Sequence, residues 1–218
     1  MQLVLRTIAV GIPLAFPGIA QQWEIGGLGG FGWYRNSTIS NSVISNPPAS
    51  ARVGFPARAT IGVSVTENLY HHLGGEFRWL YQWGGPQISS DGLKTSRTGY
   101  SNLISYDLIV YPFHSESGLR PYLAAGGGVK IYTGTGSRFA VQRPMDSVAL
   151  LRRVSQAEPA ISIGTGLRWL VHKHTQLRID FRTYFTPTPD DVIRPTGFWD
   201  IHGWLFEFVP TAGISYVF

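Results

Sequence analysis

The chain has no cysteine, few charged residues and no long apolar run, and each shortage narrows what it can be. Without cysteine there is neither a disulfide framework nor a thiolate metal site. Charged residues make up 14% of the sequence, where a soluble globular protein carries about a quarter. No stretch of 18 or more apolar residues follows the N-terminal segment, so no transmembrane helix is expected. A mean hydropathy of +0.02 without such a run means that apolar and polar residues are finely interleaved, the pattern of strands. Lysine is scarce as well. Lys94, Lys130 and Lys173 are the only three, and the arginines are scattered singly without a patch or stripe, so the formal charge of +5 gives no nucleic-acid footprint.

The first twenty residues read as a signal peptide ending near Ala20. Arg6 supplies a positive start, Ile8 to Phe16 a short apolar core, and Gly18-Ile19-Ala20 small residues at the cleavage site. Pro13 and Pro17 argue against a helix packed in a core. The remainder, residues 21–218, is of a length for one domain.

From Gln22 onward the chain falls into eight alternating stretches, at about 22–35, 51–66, 72–84, 99–112, 119–132, 159–171, 175–186 and 201–218. Most exceed the 9–11 residues with which a tilted strand crosses a bilayer. In the third, Phe77, Trp79, Tyr81 and Trp83 oppose Glu76, Arg78 and Gln82; in the seventh, Leu177, Ile179, Phe181 and Phe185 oppose Gln176, Arg178, Asp180 and Arg182. When the apolar residues fix each register, Glu24, Arg52, Arg58, Glu76, Arg78, Asp107, Arg120, Lys130, Arg168, Arg178, Asp180, Arg182 and Glu207 all fall on the polar face. Arg35, at the end of the first stretch, is the exception. An arginine or lysine facing lipid costs roughly 2–4 kcal/mol at the bilayer midplane, which explains so strict a segregation.

Alternation alone also fits a soluble lipocalin-like barrel with the charges outward. Three features favour the inverse. Glycines 26, 30, 32, 62, 126, 128, 164 and 166 share the polar face with the arginines, as a crowded interior requires. Aromatics gather at strand ends, with Trp33, Trp79, Trp83 and Trp204 toward one rim and Trp23 and Trp169 toward the other, as two membrane interfaces demand. Connections alternate between long (about 36–50, 85–98, 133–158 and 187–200) and short, the pattern of external loops and periplasmic turns. The expected fold is therefore all-β, an eight-stranded antiparallel up-and-down transmembrane β-barrel.

The C-terminal run Ile214-Ser215-Tyr216-Val217-Phe218 sets Ile214, Tyr216 and Phe218 on one face. With this ending, residues 21–218 resemble the small bacterial outer-membrane barrels of the OmpA-transmembrane, OmpX and OmpW kind. The resemblance implies an outer-membrane location, contact with membrane lipid and lipopolysaccharide, a monomer, and a terminal strand read by the barrel-assembly machinery through Ile214, Tyr216 and Phe218.

Two uses of the inward charges present themselves. Eight basic against five acidic residues pair into a structural network that fills the lumen, or their excess of three (eight minus five) lines a narrow pore, like the OmpW channels for small hydrophobic molecules or ions. Lipid A-modifying chemistry would need a catalytic group at the outer rim, but His71, His72, His114, His172 and His174 map to the short turns, and His202 has no matching partner. No enzyme activity, cofactor or metal is expected. Asp190, Asp191 and Asp200 read as a solvated acidic loop, and Asp146 to Ala157 carries helical periodicity with Asp146 as its cap.

Overall fold

A strand has two hydrogen-bonding edges, and this chain satisfies the outermost ones by closing its sheet on itself. The structure, a computed structural model, describes residues 22–35, 37–41, 49–69, 72–90, 93–96, 98–113, 118–135, 149–195 and 203–218. Its strands are β1 (Gln22–Arg35), β2 (Ser37–Asn41), β3 (Ala49–Gly54), β4 (Arg58–Asn68), β5 (Leu73–Trp83), β6 (Gln87–Ser90) and β7 (Leu93–Ser96). There follow β8 (Gly99–Val110), β9 (Leu119–Gly134), β10 (Ala149–Leu151), β11 (Ser155–His172), β12 (Thr175–Pro187), β13 (Ile193–Pro195) and β14 (Trp204–Val217). Eight of them form a closed barrel in the order β1-β14-β12-β11-β9-β8-β5-β4. Every neighbouring pair is antiparallel, β1 and β14 included, so the chain runs up and down around the wall.

The other six strands lie at the long-loop end. β2, β3, β6 and β7 make a four-stranded sheet, and β10 pairs with β13. The second barrel strand accordingly differs from the expected 51–66. Phe55-Pro56-Ala57 interrupts it, β3 joins the loop sheet, and β4 carries the barrel on to Asn68. Pro56 is the local cause, since it has no N–H for a ladder. The helical period carried by Asp146–Ala157 is not realised in its described part. Residues 149–151 pair with 193–195, and β11 already begins at Ser155. Leu151 and Ile193 are fully buried against one another's cluster, and this burial outweighs the helical period. Asp146 lies outside the described residues.

The barrel is inside-out relative to a lipocalin. Ile179, Leu123 and Ile163 on the outer wall are 65%, 56% and 54% exposed, while Arg78, Arg168 and Arg182 are fully buried within. A continuous apolar surface of this extent is the mark of a membrane-facing wall. Among the outward positions of the eight barrel strands, only two are charged: Arg35 at the long-loop end of β1 and Glu67 at the short-turn end of β4. The Tyr106 hydroxyl donates to Glu67 Oε1 at 3.1 Å across the bare backbone of Gly75.

Candidate functional site

An eight-stranded barrel leaves an interior only as wide as the side chains that fill it. Here the filling is stratified along the axis. At the short-turn end Asn68 donates to Glu24 Oε1 at 2.9 Å, and the Tyr111 hydroxyl donates to Asn68 at 2.9 Å. Two histidines close this end from outside: His72 Nδ1 meets the Tyr111 carbonyl and His174 Nδ1 the Val217 carbonyl, each at 2.9 Å. His174 also stacks on Tyr216, with ring centroids 5.4 Å apart. His71, His114 and His202 lie outside the described residues.

Above lies the charged layer, with Glu76 at its hub. Its two oxygens receive Arg78 at 2.6 Å, Arg178 at 2.7 Å, Arg168 at 3.0 Å and Arg182 at 3.2 Å. Asp180 takes Arg78 at 2.8 Å and Arg178 at 2.9 Å, and the Tyr122 hydroxyl donates to it. Arg182 reaches Asp107 at 3.1 Å, and Arg168 reaches Glu24 at 3.1 Å. The strands make this convergence possible: Glu76, Arg78, Arg178, Asp180 and Arg182 sit at i, i+2 spacing on the inner faces of β5 and β12. Gly164, cross-strand from Arg182, leaves the room its chain occupies, because a Cβ there would meet the Arg182 side chain.

Toward the long-loop end an apolar layer follows, made by Leu28, Leu80, Leu103, Ala160, Tyr184 and Val209. Beyond it Lys130 pairs with Glu207, its ammonium 5.0 Å from the Tyr34 ring centroid. The Tyr34 hydroxyl donates to Gln82 at 2.7 Å. A second apolar cluster caps this end, where Phe55 stacks on Tyr132 at 4.9 Å and Ile88, Leu151, Val192, Ile193 and Leu205 surround them.

The sequence-derived charges therefore divide. Arg78, Arg168, Arg178 and Arg182 meet Glu24, Glu76, Asp107 and Asp180 in one layer, while Lys130 and Glu207 form a separate pair. Arg58, expected among them, is exposed at the outer end of β4, because its parity is inward but its height is that of the mouth. Arg120 is half-buried at the opposite end, its guanidinium 4.0 Å over the Tyr111 ring. The Arg52 side chain lies outside the described residues. Five buried cations thus face five buried carboxylates, so the described buried charges balance without the expected excess of three. The interior apolar layer escaped sequence reading, although Leu28, Leu80, Leu103 and Val209 share the strand parity of the charges.

Trp23, Trp33, Trp83, Trp169 and Trp204 are 41–52% exposed on the outer wall, Trp23 and Trp169 toward the short turns and the rest toward the long loops. Trp79 is half-buried and donates to Asn102 at 3.3 Å. Ile214, Tyr216 and Phe218 point outward at 56%, 49% and 69% exposure. Gln156 holds both Glu158 (2.6 Å) and Asp190 (2.8 Å), and Asp200 lies outside the described residues.

No protein-family model matches the chain, and no curated protein matches it by sequence. Solved structures do match. The outer membrane protein OprG from Pseudomonas aeruginosa superposes with a TM-score of 0.60 at 13% identity, covering 90% of this chain and 95% of that one. Neisserial surface protein A gives 0.53 at 12% identity over 89% and 96% of the two chains. Outer membrane protein AlkL, solved in lipid bilayers, gives 0.51 at 15% identity over 95% of each. The fold is that of the small barrels of bacterial outer membranes, and the apolar wall carries the same location.

Proposed function

We propose that this chain is a non-enzymatic, integral outer-membrane barrel whose interior is closed by its own charge network, and which serves as a rigid platform presenting the long loops outside the cell. The observation that carries the reading is the charge balance within: four arginines and a lysine against five carboxylates, each in an ion pair. An ion-conducting pore needs a continuous water-filled path along its axis. Here paired charge alternates with apolar layers instead. Of the three described histidines, His72 and His174 bond backbone carbonyls at the short-turn end, and His172 ends β11 on the same side.

The partners follow from the wall. Membrane lipid covers it, lipopolysaccharide among that lipid at the long-loop end. The outward Ile214, Tyr216 and Phe218 of the last strand serve the assembly machinery. A barrel with no open edge has no strand to lend a second copy, and it acts as a monomer.

Single-channel recording of the refolded protein in a planar bilayer tests the closed interior. Folded, inserted protein is expected to stay silent. Reproducible conductance steps that disappear in a Gly164→Trp variant would instead establish the OmpW-like reading, a narrow channel for ions or small hydrophobic molecules.

A further inference from the structure

The outer wall breaks its own rule twice, at Arg35 and at Glu67, and the two breaks are related. Glu67 pairs with Trp23 on β1, and Arg35 lies twelve residues further along the same strand. At ~3.3 Å per residue and a tilt of ~40°, twelve residues rise about 30 Å, and this is about the thickness of a bilayer's hydrocarbon core. The two outward charges therefore stand at the two faces of the membrane. They are not equivalent. Glu67 accepts the Tyr106 hydroxyl, whereas Arg35 is exposed and has no ion pair among the described residues.

Directly membrane-ward of Arg35 lies an aromatic plate. Phe206 is its cross-strand partner, and Trp33 precedes it by two residues on the same face. Trp33 stacks on Phe208 at 5.9 Å and meets Phe181 at 6.2 Å, and Phe185 packs edge-on to Phe206 at 5.2 Å. Trp83 and Tyr81 form a comparable aromatic group on β5, yet no outward charge crowns it. A guanidinium presents a planar fork of donors that matches a phosphate, and an aromatic plate below it matches acyl chain.

We propose that Arg35 and this plate form a binding site for one molecule of lipopolysaccharide, with a lipid A phosphate on the Arg35 guanidinium and an acyl chain across Trp33 and Phe206. The site rests on the reading that the long-loop end faces outward, where the leaflet consists of this phosphorylated glycolipid. The phosphate supplies the missing counter-charge, and the pairing of Arg35 with the plate fixes one azimuth on the wall.

Native mass spectrometry of the refolded protein, released from micelles containing bis-phosphorylated lipid A, tests the site. The folded fraction is identified beforehand by its heat-modifiable migration. One retained lipid A per wild-type barrel is expected. Arg35→Glu should cut that occupancy at least tenfold, Arg35→Lys should keep most of it, and Lys173→Glu, the same reversal at the other end, should leave it unchanged. Removal of the phosphates from lipid A should match Arg35→Glu. Equal retention by folded Arg35→Glu, or of dephosphorylated lipid A, would overturn the site. So would equal retention of phosphatidylglycerol, which would reduce it to a general anionic contact. Each of these outcomes leaves the barrel reading standing, which fails only if the wild type does not insert into membranes at all.

Discussion

Glu76 shows how one residue can bind a whole interior. Its carboxylate meets four guanidinium groups, from β5, β11 and β12, so it ties β5 across the lumen to the neighbouring strands β11 and β12. Removing one partner from a buried ion pair leaves the other charge uncompensated, at a cost of about 3–5 kcal/mol. Glu76→Gln, which keeps the shape and loses the charge, should destabilise the barrel by about that amount, and urea unfolding of refolded protein in detergent measures it. A loss below about 1 kcal/mol would mean that water or a counter-ion already serves these arginines. Residue-scale legibility was uneven for a reason visible here. Parity along a strand gives the face on which Glu76 or Arg182 lies, but not its height, so it does not separate Arg58, at the mouth, from the charges deeper along the axis.

Single strands carry a two-faced code, and the barrel strands were readable because that code is strong. In β12 the outward Leu177, Ile179, Phe181 and Phe185 alternate without a slip with Gln176, Arg178, Asp180, Arg182 and Tyr184. A one-residue register error would put three charges into lipid, which pins the strand. Ile179 is the most exposed of these, at 65%. Ile179→Arg should therefore cost roughly 2–4 kcal/mol and lower the yield of heat-modifiable, folded protein. The neighbouring change Thr183→Arg, nearer the long-loop rim, should cost well under half as much. Equal costs at both positions would mean that the membrane does not lie where the wall places it. The loop strands were not readable by the same logic. β10 and β13 are three residues each and are held by the burial of Leu151, Val192 and Ile193 at the barrel mouth, a contact between segments about forty residues apart that no local period announces. Pro56 did carry a signal, since a proline within a supposed central strand argues against its continuity.

For the molecule as a whole, closure and stratification make one argument. Paired charge in the interior costs nothing to lipid, provided that the wall outside is apolar from one interface to the other, and the aromatic girdles mark where that span ends. Seven tryptophans stand in the sequence. Of the six described on the wall, Trp23 and Trp169 lie at one end and Trp33, Trp83 and Trp204 at the other, while Trp79 is set four residues in from Trp83 on β5. This distribution predicts a depth signature. Single-tryptophan variants that retain Trp23 or Trp204 should, in bilayers of brominated lipid, be quenched most strongly when bromine sits near the carboxyl end of the acyl chain, and weakly when it sits near the methyl end. Both variants should give the same profile although the two residues occupy opposite ends of the barrel, because each interface lies at the same distance from the midplane. Strong quenching from the methyl end in either variant would mean that the barrel sits off-centre or tilted far from the normal, and then Arg35 and Glu67 would no longer mark the two faces of the membrane.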